Sequence, residues 1–194
     1  VVDSTIKIEV DSWFEYLLDT WFEVSTLNGE ENLEKIEDAV YCNDRRIDTV
    51  SEYGTRLGYG TSQTEYMARN RFYTNKTTSI PDLSCSKNDS FSVSDENGNG
   101  DLTYPVGLLT ADEIALAGGT AVSQNFDFYL YTGEAYWTLS PTGFGYYANV
   151  FYMEPYGILS DYGSARTISG VRPVISLANH VTFKTGTDGT VNNP

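Results

Sequence analysis

Hydrophobic residues recur every three or four positions near the start of the chain. The stripe consists of Val10, Trp13, Phe14, Leu17, Leu18, Trp21 and Phe22, with Asp11, Glu15 and Asp19 between its members. This spacing is typical of one face of an amphipathic helix. It predicts a helix over residues 5–24 that packs its aromatic face into the core, with Trp13, Phe14, Leu17 and Trp21 largely buried. The alternative is that the stripe binds a partner helix.

Three later segments also have helical patterns. Short helices are predicted over residues 31–40 and 63–69, and a better-defined one over residues 109–119. In that last helix Thr110 and Glu113 have the spacing of a capping box. Two consecutive glycines, Gly118 and Gly119, supply its stop signal.

From residue 126 onward the pattern changes to alternation, which is typical of strands. Strands are predicted over residues 126–131, 149–153 and 171–178, and a hairpin turn at residues 187–190. The Ser- and Asn-rich stretch 74–99 is predicted to be loop. Helices followed by a small antiparallel sheet give an α+β order. With no repeat or flexible linker, residues 1–194 are predicted to form a single domain.

The charge balance narrows the choice of partners. Twelve Lys and Arg stand against 27 Asp and Glu, so the net charge is −15. Such a polyanion repels phosphate backbones and anionic lipid, which disfavours nucleic acid and membrane surfaces. No apolar run approaches the length of a membrane span, so direct membrane insertion is not expected. A cationic, neutral or glycan partner is favoured, although the acidity also serves solubility alone.

Cys42 and Cys85 are the only cysteines, and His180 is the only histidine. These are too few ligands for a zinc site, and a His-dependent catalytic triad is disfavoured. In an exported protein the two cysteines would form a disulfide, which stabilises a loop of this length by about 4 kcal/mol. The alternative is two buried thiols in a reducing compartment.

One segment imitates the front half of a calcium loop. Asp95, Asn97 and Asn99 place oxygens at alternate positions and Gly100 follows them. Val106 stands where the bidentate glutamate of such a loop should be. An ordinary Asn-Gly turn is the favoured interpretation, so no metal and no cofactor is expected.

The last third of the chain has a distinctive frame. Tyr136-Trp137, followed by Leu139-Ser140-Pro141, precedes a stretch rich in Tyr, Asn, Ser and Gly, and residues 170–177, GVRPVISL, close it. This frame resembles the variable proteins of diversity-generating retroelements. It is also similar to gut-bacterial surface proteins with the same C-type-lectin-like domain, of the formylglycine-generating-enzyme type. The likeness extends to CNDR at residues 42–45 and to residues 102–119, and covers about residues 40–190.

The resemblance implies a C-type-lectin-like fold, with helices packed on a small, twisted, mostly antiparallel sheet and extensive loops. It implies a non-enzymatic module, extracellular or at the cell surface, that presents a Tyr-rich face to an unknown protein or glycan. The enzyme of this fold class works through a cysteine pair in its C-terminal strands, and this chain has no cysteine there. The enzymatic activity is therefore not carried over.

The same resemblance places ligand-facing, diversified positions within residues 136–173. Adenine-directed mutation of Asn codons produces a restricted set of residues, and twelve positions here fit that set: Thr142, Gly145, Tyr146, Tyr147, Asn149, Tyr152, Tyr156, Asp161, Tyr162, Ser164, Arg166 and Ile168. Trp137, Met153 and Glu154 cannot arise in this way and are assigned to the frame. Arg172, inside an apolar strand, is expected to be held by a buried carboxylate or by backbone carbonyls.

Two other functions remain open from the sequence. The last third could be ordinary sheet in a structural or pilin-like surface subunit. A glycan hydrolase is the more distant alternative, because it needs two carboxylates at a defined separation that sequence alone does not show.

Overall fold

The computed structural model describes residues 16–49, 63–74, 80–145 and 147–182. The fold is α+β, with short helices around a curled antiparallel sheet. Helix α1 occupies residues 16–24 of the described part. The others are α2 (Glu30–Leu33), α3 (Met67–Arg69), which continues into a π-helical turn at Asn70–Thr74, and α4 (Ala111–Leu116). Within the described ranges, no helix has the length and apolar character needed to cross a membrane.

In the described ranges, ten strands form one larger sheet and three two-stranded ones. In chain order they are β1 (Ile36–Glu37), β2 (Tyr41–Cys42), β3 (Thr64–Glu65), β4 (Ser90–Phe91), β5 (Gly107–Leu108), β6 (Tyr136–Phe144), β7 (Ala148–Met153), β8 (Leu159–Ser164), β9 (Pro173–Val174) and β10 (Ser176–Leu177). The central sheet has the order β3-β6-β7-β8, and the small sheets pair β1 with β10, β2 with β4 and β5 with β9. All these pairings are antiparallel.

Two hydrophobic cores lie on opposite faces of the central sheet. Successive strand residues point to opposite faces, and neighbours along β6 and β7 accordingly join different cores. Tyr136 and Phe151 pack with Ile114 of α4 and with residues of the α3 segment. Trp137 and Val150 pack with Phe22 of α1 and with Val106 and Leu108. The sheet is therefore covered by α3 and α4 on one side and by α1 on the other.

Helix α1 buries a narrower stripe than its sequence pattern predicts. Leu18 and Phe22 are buried, and Phe22 stacks on Tyr104 with ring centroids 5.0 Å apart. Leu17 and Trp21 are 39% and 38% exposed, so the prediction that both are largely buried is wrong. Residues one position apart are rotated by about 100° around a helix, and only the line through Leu18 and Phe22 faces the core. Trp13 and Phe14 lie outside the described residues.

The other predicted elements have mixed outcomes. The helix over 109–119 is confirmed as α4, including the capping box between Thr110 and Glu113. The helix over 31–40 ends at Leu33, because the chain then forms β1 and pairs with β10. Of the helix predicted over 63–69, Thr64–Glu65 form β3 and only Met67–Arg69 are helical, as α3.

The predicted strand at 126–131 is wrong, since these residues form bends and a turn. The strand over 149–153 is confirmed within β7, and 171–178 contains the two short strands β9 and β10. The hairpin turn at 187–190 lies outside the described residues.

Cys42 and Cys85 form a disulfide, as predicted, with Cα atoms 5.7 Å apart. The bond joins β2 to the irregular segment 80–86, which has no strand of its own. It therefore closes a long connection across a part of the chain that has little regular structure.

Adjacent leucines in α1 provide a matched test of its orientation. Leu18→Ala should lower the free energy of unfolding by about 2–5 kcal/mol, because it leaves a cavity in the core. Leu17→Ala should cost less than about 1 kcal/mol, because exposed changes have small effects. Urea unfolding of both variants measures the difference, and equal losses would show that α1 packs differently.

The disulfide predicts that protein denatured without reductant contains no thiol that reacts with Ellman's reagent. Cys42→Ser with Cys85→Ser should lower the unfolding free energy by roughly 2–4 kcal/mol, because the unfolded chain loses its constraint. Two reactive thiols in the denatured, unreduced protein would contradict the assignment.

Candidate ligand-binding surface

The frame residues of the last third form a buried platform. Tyr136, Trp137 and Met153 are all buried. Trp137 packs on Tyr152 with ring centroids 5.8 Å apart, directly over Gly163. A Cβ on Gly163 would lie 2.7 Å from Trp137 Cζ3 and 2.8 Å from Tyr152 Cδ1. Only glycine permits this approach, so the strands beneath the predicted surface are fixed by packing.

The register of the central sheet brings several predicted positions to one end. Phe144 pairs with Ala148, and Asn149 pairs with Ser164. We call this the Ser164 end, and the opposite end, at the β7–β8 turn, the Gly157 end. The predicted residues at or beside the Ser164 end are Gly145, Tyr147, Asn149, Tyr162, Ser164 and Arg166. Tyr146 lies outside the described residues.

Tyr147 and Arg166 form an exposed stacked pair at the Ser164 end. The Arg166 guanidinium lies over the Tyr147 ring, 5.2 Å from its centroid. Tyr147 is 40% exposed, and Arg166 is exposed as well. Among the described residues, no carboxylate lies within 4.0 Å of the Arg166 guanidinium. Its charge is available to a ligand while the ring limits its motion.

A second group joins Tyr162 to two residues that the sequence did not indicate. The hydroxyls of Tyr162 and Tyr73 are 3.0 Å apart, and their rings meet edge to face. Arg69 lies over the Tyr73 ring at 4.6 Å. The hydrogen bond with Tyr73 raises the pKa of Tyr162, and partial burial adds to the effect. We call Tyr73, Tyr147, Tyr162, Arg69 and Arg166 the tyrosine cluster.

No local pattern pointed to Arg69 and Tyr73, because they reach Tyr162 from a distant part of the chain. The only signal in their own segment is structural. They lie on either side of the point where α3 becomes a π-helical turn, and such turns are frequent at functional sites.

Two predicted ligand-facing residues are buried and hold the sheet together. Thr142 is 1% exposed and donates its hydroxyl to the carbonyl of Asp161. Asp161 is 4% exposed and accepts from Arg69 Nε at 2.8 Å. These contacts use the polar groups of both side chains within the protein, so neither is presented to a ligand here.

Tyr152 and Tyr156 lie apart from the tyrosine cluster, whereas Ile168 is two residues from Arg166 in the chain. Tyr152 is half-buried against Trp137 and donates its hydroxyl to Glu154. Burial and this hydrogen bond raise the pKa of Tyr152. Tyr156 is 62% exposed but lies in the turn at the Gly157 end. Ile168 is fully exposed, beyond the end of β8.

A buried ion network anchors the segment that carries Arg69 and Tyr73. Arg71 binds Asp112 through two parallel hydrogen bonds of 3.0 and 2.8 Å, and it binds Asp44 at 2.9 Å. Arg46 also binds Asp44 and reaches Asp82. Burial alone raises the pKa of Asp44, but the hydrogen bonds from Arg46 and Arg71 outweigh it and hold the pKa below its usual value.

Arg172 is held as predicted, by a backbone carbonyl. Its Nη1 donates to the carbonyl of Leu130 at 2.6 Å, and the guanidinium lies 5.3 Å from the Tyr136 ring centroid. This contact ties the closing motif of the frame to the opening one.

The calcium-loop segment forms a turn whose side chains serve the protein itself. Asn97 donates its amide to Asp38, and Asn99 accepts from the backbone of Asp101. In the described part of the chain, no three His, Cys, Asp or Glu side chains are grouped to hold a metal ion. This segment therefore offers no cage of ligands.

Comparison with protein-family models, with curated proteins and with solved structures finds no significant match for this chain.

The ion network predicts an acid-sensitive fold. A carboxylate with a lowered pKa stabilises the fold above its unfolded pKa of about 3.9 and loses this effect as pH falls further. Asp44→Asn should cost about 3–5 kcal/mol at neutral pH, because it removes one partner of a buried pair. The variant's stability should also fall less steeply than the native protein's below about pH 4.

Thermal unfolding between pH 2 and 7 measures both effects. Asp95→Asn is the control, because Asp95 is exposed in a turn, and this variant should follow the native curve. A native-like curve for Asp44→Asn would contradict the role of the network.

Proposed function

We propose that this chain is a non-enzymatic, C-type-lectin-like binding domain that presents the tyrosine cluster at the Ser164 end to a ligand. One observation carries the proposal. Tyr147 and Tyr162 are exposed, yet each is held by a neighbour, Arg166 in one case and Tyr73 in the other. Exposed rings that are already ordered lose little entropy on binding.

The chemistry of the cluster suits recognition of a macromolecular surface. Tyrosine offers a large contact area with only two side-chain torsions. Tyrosine and arginine are also the residues most enriched among those that dominate interface energy. The cluster presents Tyr147, Tyr162 and Arg166 on a platform fixed by buried strands, which favours a protein partner with a matching surface. Arg69 lies beneath Tyr73, where Glu65 and Asp161 bind its guanidinium, and it supports the cluster from within.

The distribution of burial supports the idea of a diversified surface. Trp137 and Met153, which cannot arise from mutated Asn codons, are buried. Tyr147, Tyr162 and Arg166, which can, are exposed. Selection for a stable frame with interchangeable surface positions would produce this division. Thr142 and Asp161 are excluded from the proposed surface because their contacts are internal.

The architecture and the disulfide support the remaining parts of the proposal. Helices on both faces of a curled antiparallel sheet, with long irregular connections, are what a C-type-lectin-like fold requires. The bond between Cys42 and Cys85 fits an oxidising, extracellular or cell-surface setting.

The test is a binding comparison with a variant of the cluster. Fluorescently labelled chain is screened against a displayed protein-fragment library and a glycan array. Tyr147→Ser, Tyr162→Ser and Arg166→Ser combined should lose the binders of the native chain. Its folding should stay nearly intact, because each exposed change costs about 0.5 kcal/mol or less.

The control replaces exposed apolar residues elsewhere, Ile80→Ser with Val122→Ser, and should keep every binder. Binders that survive the triple substitution would refute the cluster as the binding surface. A triple variant that unfolds would instead support a structural role for these rings, as in a pilin-like subunit.

A further inference from the structure

A second exposed aromatic surface lies at the Gly157 end, away from the tyrosine cluster. It consists of Phe126, Tyr129, Tyr131 and Tyr156, which we call the aromatic patch. Tyr129 is 89% exposed, Tyr156 62% and Phe126 52%. The sequence pattern indicated only Tyr156, because the other three were assigned to a strand over residues 126–131.

The patch is built from two loops that are fixed to each other. Tyr131 donates its hydroxyl to the carbonyl of Pro155 at 3.0 Å, and Asn125 N donates to the carbonyl of Gly157 at 3.1 Å. Phe126 meets the Tyr131 ring edge to face, with centroids 5.4 Å apart. Gly157 has φ 75°, and a Cβ there would collide with the Asn125 carbonyl. The two loops are therefore fixed to each other, and Phe126 is held against Tyr131.

The loop that carries Phe126 and Tyr131 is also held at its tip, by a backbone hydrogen bond and by a buried residue. Tyr131 N donates to the carbonyl of Phe128 at 3.0 Å, which closes a turn around Tyr129. Phe128 itself is buried in the core shared with α4. The most exposed ring of the patch thus stands on a turn whose base is part of the core.

Within the described part of the chain, the exposed charged residues next to the patch in sequence are acidic. Asp127 and Glu134 are exposed beside it, and Glu154 is half-buried in the adjoining turn. Between Lys87 and Arg166 the chain contains no Lys, Arg or His, whereas Asp and Glu recur throughout. Arg172 lies near Leu130, but its guanidinium is bound to that carbonyl and covers Tyr136.

We infer that the aromatic patch docks an arginine-rich segment of a partner protein. Electron-rich ring faces attract cations, and arginine stacks on them better than lysine does. The surrounding carboxylates and the net charge of −15 add long-range attraction for such a segment. This surface is separate from the tyrosine cluster, so the inference does not depend on the proposed function.

The test uses a capped hexa-arginine peptide titrated into the full chain and followed by calorimetry. The peptide should bind more tightly than hexa-lysine, and its binding should weaken as salt increases. Phe126→Ser, Tyr129→Ser and Tyr156→Ser combined should reduce the affinity at least about tenfold without changing any charge. The cluster variant, with Tyr147, Tyr162 and Arg166 replaced by Ser, should bind the peptide at least as well as the native chain.

A charge-matched pair of variants separates local attraction from the field of the whole protein. Asp127→Asn, Glu134→Gln and Glu154→Gln should weaken binding clearly more than Asp95→Asn, Glu96→Gln and Asp101→Asn, which remove the same charge elsewhere. Circular dichroism and the melting temperature establish that each variant is folded.

Three results would overturn the inference. One is an aromatic variant that is folded and binds hexa-arginine as the native chain does. Another is equal weakening by the two charge variants, which would assign the binding to diffuse electrostatics. The third is a native chain that does not bind hexa-arginine but binds a neutral oligosaccharide such as cellohexaose through this patch, since the partner would then be a glycan.

Discussion

Arg69 joins the two edge strands of the central sheet, and the rest of the structure depends on that contact. In the order β3-β6-β7-β8 the first and last strands do not touch as neighbours. Arg69 nevertheless binds Glu65 of β3 at 2.6 Å and Asp161 of β8 at 2.8 Å. A single guanidinium spans both edges only because the sheet is curled. Its partners are largely shielded from water, which strengthens the attraction and makes the loss of either carboxylate costly.

The same residue connects the fold to the tyrosine cluster. The face of its guanidinium supports Tyr73, whose hydroxyl meets that of Tyr162 on β8. Two positions later, Arg71 ties the segment to α4 and to the residues after β2. The π-helical turn is thus held from both sides by charged hydrogen bonds. Structure and surface are therefore coupled: a change in the curl of the sheet would move Tyr73 relative to Tyr162.

The sequence could predict features that depend on residues close together in the chain, and it missed those that depend on contacts between distant residues. The capping box of α4 is a contact between residues three apart, and it was correct in detail. Trp137 and Met153, which the sequence assigned to the frame, are both buried. The predictions that failed all depended on contacts between distant parts of the chain. Residues 126–131 alternate like a strand but find no partner strand, because their backbone closes a turn against the β7–β8 connection. Leu17 and Leu18 look alike in sequence, and only the position of the sheet decides which is buried. Arg69 and Tyr73 carry no local signature, since Tyr162, the partner of Tyr73, is 89 residues away, and Asp161, the partner of Arg69, is 92 residues away.

The distribution of arginine also explains why the two ends of the sheet suit different chemistry. Arg45, Arg46, Arg69 and Arg71 are each bound to carboxylates within the described structure, and Arg172 to a carbonyl. Cations that neutralise internal carboxylates do little to offset the acidic exterior. Arg166 differs, because its guanidinium stacks on an exposed ring at the Ser164 end. The Gly157 end presents rings among carboxylates. We therefore expect the Ser164 end to accept an acidic or neutral contact and the Gly157 end to favour positive charge, although both are built on the same two strands.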